Sequence, residues 1–126
     1  MLFRIIAALM AALFFVAVAV QYNDPDPLRW MALYGAASVV SIMAAIRGQA
    51  PVAASTIVGG VAIVWSLFWF ITSTARLGVY AHMFDAWEMK STPIEEAREA
   101  SGLLIVAVWM AVLALHGRPR SRRQTR

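Results

Sequence analysis

Apolar residues in this chain come in long, nearly unbroken runs, and each run has the length of a membrane crossing. Phe3 to Val20 is apolar except for Arg4, enough to span a hydrocarbon core as a helix. A signal peptide with Ala17-Val18-Ala19 as its cleavage site is the competing reading, but the run exceeds the usual ~7–15-residue core of such a peptide. The second run covers residues 28–46, with Arg29 and Arg47 at its ends, and the third, 51–74, carries no charge at all. Thr92-Pro93-Ile94-Glu95 opens the last helix. Thr-x-x-Glu is a capping box, and proline suits the first helical position because it has no amide hydrogen to leave unpaired. The spans expected are therefore about 3–22, 28–46, 51–74 and 93–116.

The connections are equally legible. Gln21 to Trp30 is an acidic corner, and its Pro25 and Pro27 stop either neighbouring helix from running through it. Arg47-Gly48-Gln49-Ala50-Pro51 reads as a tight turn. Residues 75–92 are too polar to span, yet Leu77, Tyr80, Phe84 and Trp87 recur at helical spacing with Arg76, His82, Asp85 and Glu88 between them, the pattern of an amphipathic helix in the interface. Ala37, Ser41 and Ala45 form a small-residue stripe, and Gly59-Gly60 and Gly102 are candidate helix-packing points. The expected fold is all-α: an integral membrane four-helix bundle, one domain over 1–117, with a short interfacial amphipathic helix between the third and fourth spans. A basic tail, 118–126, is expected to be disordered.

Composition agrees with that reading. Of 126 residues 61% are hydrophobic and 14% charged, with a mean hydropathy of +0.68. Soluble domains carry roughly 25% charged residues. There is no cysteine, which removes disulfides, thiolate metal sites and thiol redox chemistry. A pI near 10.4 suggests nucleic acid until the charges are placed. With four spans, Arg4, Arg47 and the five arginines from Arg118 onward share one side with no acid among them. All seven carboxylates fall on the other side, with Arg29, Arg76, Lys90 and Arg98. The positive-inside rule puts the basic side, and both termini, in the cytoplasm, in the plasma membrane or the inner membrane of a bacterium. The tail is then a topology determinant first and an anionic-lipid contact second, and nucleic acid is excluded as a partner.

The chemical interest lies on the acidic face. Glu95, Arg98, Glu99 and Gly102 fall at i, i+3, i+4 and i+7 on one helix face. Ala100 to His116 covers only about 25 Å, short of the ~30 Å hydrocarbon core, so Arg98 and Glu99 are drawn to its edge and need partners. The expected site is a polar cluster of Asn23, Asp24, Asp26, Glu95, Arg98 and Glu99, roofed by the 77–87 helix with His82 reaching in. Plainer roles compete with it. Asp26 before Pro27 is an ordinary helix cap, Arg98 with Glu95 or Glu99 is an interfacial ion pair, and Trp65, Trp69 and Trp87 are belt anchors.

NDPDPLRW after a first span and EEAREASGLLI opening the last one resemble the transmembrane protein 220 family, small multispan proteins of bacteria and animals. That resemblance implies the four-span architecture and adds Trp30 and Tyr34 to the residues of interest; it supplies no catalytic mechanism and no catalytic residue. Other chemistries lack their residues. Asp24 and Asp26 begin like a calcium loop, but Leu28 holds the fifth position and the glycine is missing. No span contains a haem-ligating histidine, and the first span has no acid for proton-coupled export. Three classes remain: a structural or partner-binding membrane subunit, a protein binding a divalent cation or a polar lipid headgroup, and a surface enzyme using an Asp/Glu pair as acid and base. The first is preferred, with the lipid bilayer, a membrane-protein partner or a second copy as its company and no cofactor beyond a possible divalent cation.

Overall fold

A computed structural model of the chain describes residues 1–24, 26–72 and 92–119, the last segment with side chains from Arg98 onward. Four long helices make up nearly all of it. Helix α1, Leu2–Val20, tightens into a 3-10 turn over Gln21–Asn23; α2 is Pro27–Arg47, α3 is Val52–Thr72 and α4 is Thr92–Gly117. Each contains a stretch long and apolar enough to cross a membrane. The amphipathic helix expected at 77–87, His82 within it, and the tail beyond Pro119 lie outside the described residues.

Local chemistry sets the helix ends. Pro27 occupies the first turn of α2, where its fixed φ is already helical. Gly48 closes α2 in the left-handed region, φ 73°, and its amide donates to the Ala44 carbonyl at 2.8 Å. An L side chain there would be strained, so glycine is the residue that lets the chain turn this tightly.

The four helices pack as two antiparallel pairs, α1 along α2 and α3 along α4, and α2 also touches both α3 and α4. Helix α2 is therefore the centre of the bundle. It buries Trp30, Leu33, Tyr34, Ala37, Ser38, Val40, Ser41 and Ala44, and α4 is buried to a similar extent, through Leu103, Val106, Met110 and Leu113 among others, whereas α1 buries only Ala7, Ala11 and Phe14, and α3 only Ser55, Ala62 and Ser66. Apolar side chains such as Leu9, Leu13, Val64 and Ile71 point outward. In water that surface would be a liability; against lipid tails it costs nothing. The small-residue stripe on α2 is rotated from the one expected. Ala37 and Ser41 are fully buried, but Ala44 takes the third place and Ala45 is only half-buried. Seven residues bring a helix back to within about 20° of its starting face, whereas eight overshoot by about 80°.

Because lipid is as apolar as leucine, close packing and interhelical hydrogen bonds hold such a bundle together. Ser38 Oγ donates to the Ala11 carbonyl at 2.9 Å, joining α2 to α1, and Ser66 Oγ donates to the Ala100 carbonyl at 3.3 Å, joining α3 to α4. Trp109 Nε1 donates to Ser41 Oγ at 2.9 Å, joining α4 to α2. The glycine pair on α3 divides its work. A Cβ on Gly59 would lie 2.9 Å from Met110 Cβ, while one on Gly60 would meet nothing within 4 Å. Gly59→Ala should therefore force α3 away from α4 and cost about 1–3 kcal/mol by overpacking. Gly60→Ala should be neutral or stabilising by up to about 1 kcal/mol, because alanine is the better helix former. Melting temperatures of the two purified variants check this, and equal shifts would contradict it.

Candidate functional site

The acidic-face end of the bundle is built from the first turns of α2, the last turns of α3 and the charged start of α4. Asp24 leaves the 3-10 turn in an extended conformation, φ −72° and ψ 145°, and Asp26 follows at φ −124° and ψ 60°, both outside the helical region that a following proline disfavours. The Asp26 amide donates to Asp24 Oδ1 at 2.9 Å. Asp26 stands at the N-cap of α2 without capping an amide through its side chain. Its Oδ2 instead accepts from Arg29 Nη2 at 2.9 Å, in a pair whose side chains are 63% and 50% exposed. An ion pair that open contributes little to stability, so the Asp26 carboxylate remains on view to anything approaching from water, with Asp24 half-buried beside it.

Arg29 carries this corner into the bundle. Its guanidinium lies 5.9 Å from the Trp30 ring centroid and 5.5 Å from that of Trp65 on α3. The two indoles stack at 4.5 Å with their planes 22° apart. Tyr34, one turn further along α2, has ring centroids 6.3 Å from Trp30 and 6.4 Å from Phe14 on α1. Three helices thus meet through one aromatic column rooted on α2. Trp30 is 1% exposed, and its indole N–H, like that of Trp69, has no hydrogen-bond acceptor among the described residues. An unsatisfied buried donor typically costs about 1–3 kcal/mol.

The column ends at α4. A Cβ on Gly102 would fall 2.2 Å from Tyr34 Oη and 3.5 Å from Cζ, so the phenol tip occupies the notch that glycine leaves. Glu99, one turn earlier on the same face, lies near enough for its charge to act on that phenol. Arg98 and Glu99 are both half-buried and both engaged with neighbouring groups.

Two sets of contacts hold among the described side chains of the candidates. Asp24 and Asp26 gather with Arg29 at the corner, where Asn23 is exposed. Trp30 and Tyr34 gather with Glu99 and Gly102 at the junction of α2 and α4. The 3-10 turn rests on α1 and α2 and makes no contact with α4 among the described residues. What fills the Gly102 notch is the phenol of Tyr34, a side chain of α2. The Glu95 side chain and His82 lie outside the described residues. Arg29 and Trp65 were not among the candidates. Arg29 is recoverable from its position three residues after Asp26, the spacing of a same-face helix pair, whereas no local signal distinguishes Trp65 from an interfacial anchor. Among the described residues, no three acidic, histidine or cysteine side chains converge as metal ligands would.

A family model described as "Transmembrane family 220, helix" matches residues 13–115 of the chain, a stretch that takes in both the corner and the charged start of α4. No solved structure matches the chain.

Proposed function

The chain belongs to transmembrane family 220, and from that premise we propose that this multi-pass membrane protein is a structural or partner-binding subunit of its membrane. Its acidic outer face is the working surface, with Asn23, Asp24, Asp26, Glu95, Arg98 and Glu99 as the polar residues concerned. One observation carries the reading. The half-buried charged start of α4 is tied to α2 through Tyr34 and Gly102, while the Asp26 carboxylate of the corner stays exposed and that of Asp24 is half-buried beside it. The buried part of the polar set closes the bundle, and the exposed part is free to meet a partner carrying basic residues. A divalent-cation site is the second reading; it draws less support, because Asp26 is taken up by Arg29 and no ligand set converges among the described residues.

The charge distribution supports a topology with both termini in the cytoplasm and the acidic corner outside. A fluorescent reporter fused after Arg126 should be active inside the cell, and an alkaline phosphatase fused there should be inactive. For the function, the full-length protein should co-purify a membrane or envelope protein in mild detergent. Asp24→Asn/Asp26→Asn should release it without moving the melting temperature by more than the few tenths of a kcal/mol an exposed pair is worth. A partner retained equally by that variant, or a melting temperature that rises with Ca²⁺ or Mg²⁺ and loses the rise in the variant, would replace this reading with the cation one.

A further inference from the structure

The opposite end of the bundle holds a second charged surface, and the fold gives it a composition that the functional reading does not use. The start of α1, the end of α2, the start of α3 and the end of α4 meet there. Arg4 on α1 lies against Gly48, Ala50 packs on Gly117, and the Phe3 ring stacks on His116 at 3.7 Å. Arg4, Arg47 and Arg118 are therefore brought to one rim, and all three are exposed. The described carboxylates sit at the far ends of their helices, about 30 Å away, several Debye lengths at physiological salt. Nothing acidic in the described residues neutralises this rim.

Basic residues at helix C-termini often serve the terminal carbonyls. Here other groups already do so. The Arg4 guanidinium donates to the Ile46 carbonyl at the end of α2, and Gln49 Nε2 donates to the Gly117 carbonyl at the end of α4 at 3.1 Å. Arg47 and Arg118 are exposed at the same ends of the spans. The sequence adds four further arginines beyond Pro119 and no acid.

We propose that this rim, with Arg47 and Arg118 as its free contacts, is a docking surface for the headgroups of anionic phospholipids in the adjoining leaflet. Guanidinium is suited to the task, since its planar fork of donors matches a phosphate. The full-length protein, reconstituted in phosphatidylcholine bilayers, is tested with trace spin-labelled phosphatidylglycerol against spin-labelled phosphatidylcholine. At an upper bound of about fivefold per arginine, from ~1 kcal/mol for each cation near the surface, the immobilised fraction should favour phosphatidylglycerol several-fold and lose most of that preference in 0.5 M salt. Arg47→Gln/Arg118→Gln should reduce the preference at least twofold with an unchanged melting temperature, and Arg47→Lys/Arg118→Lys should restore most of it. Equal association of the two lipids would overturn the proposal. So would a preference untouched by the glutamine pair but abolished by deleting residues 120–126, since the tail alone would then hold the lipid.

Discussion

Trp30→Ala should be the most damaging single substitution in the described part of the chain, lowering the melting temperature far more than any change on the α1 surface. Trp30 is fully buried and stacks on Trp65 from α3 beside Tyr34. Truncating a core tryptophan costs about 3–5 kcal/mol in water-soluble proteins, where lost transfer energy adds to the cavity left behind. In a bilayer the transfer part shrinks, because the unfolded helix is already in an apolar solvent. The cavity part remains, since an acyl chain cannot thread between α2 and α3. We therefore expect about 2–3 kcal/mol, set by lost dispersion contacts. Trp30→Phe makes the contrast. It keeps an aromatic ring for Trp65 and deletes an indole N–H that has no acceptor among the described residues, so the smaller area and the relieved donor should offset to within about 1 kcal/mol. Circular dichroism melts of the detergent-solubilised variants read both. If the phenylalanine variant were as unstable as the alanine one, the indole nitrogen would have a partner and the column would be more than packing.

How much of this was legible in the residues depends on how local each feature is. Span positions follow from run length and prolines, so α2 begins at Pro27, α4 at Thr92, and Gly48 ends α2. None of those boundaries needs a distant contact. Which face of each helix turns inward is harder, because a helix surrounded by lipid is apolar on every side and carries no amphipathic stripe to read. That is why the stripe was read through Ala45, which packs on the core half-buried, and not through the fully buried Ala44, and why Gly59 and Gly60 looked alike although only Gly59 faces Met110. The candidate site shows the same division. Asp24, Asp26 and Arg29 interact within one turn, and that spacing is visible in the sequence. The meeting of Trp30 with Trp65, or of Tyr34 with Gly102, joins residues from separate helices, and only the relative rotation of those helices decides it. Arg29, a residue of the corner itself, pairs with Asp26 and lies over the indoles of Trp30 and Trp65, a link that the Asp26–Arg29 spacing only half reveals.

The junction of α2 and α4 yields the second large effect, and it is a coupling between two sites. Gly102→Ala places a methyl 2.2 Å from Tyr34 Oη, far inside van der Waals contact. A flexible side-chain tip would swing aside, but this phenol is set between Trp30 and Phe14 and is buried, so the helices must separate instead. The cost should be about 1–3 kcal/mol, despite the ~1 kcal/mol that alanine gains over glycine in a helix. Tyr34→Phe alone should cost at most about 1 kcal/mol, the net worth of a typical buried hydroxyl hydrogen bond. Joining the two changes removes the clash at its source. The nearest remaining tyrosine-derived carbon then stands 3.5 Å from the new methyl, an ordinary contact, and the alanine keeps its helical advantage. The double variant should therefore be more stable than Gly102→Ala alone, with a coupling energy of about 1 kcal/mol or more, well above the ~0.3–0.5 kcal/mol within which unrelated sites add. Four melting curves complete the cycle. Strict additivity would mean that Tyr34 does not occupy the Gly102 notch, and with it would go the contact by which the charged start of α4 is held to the centre of the bundle.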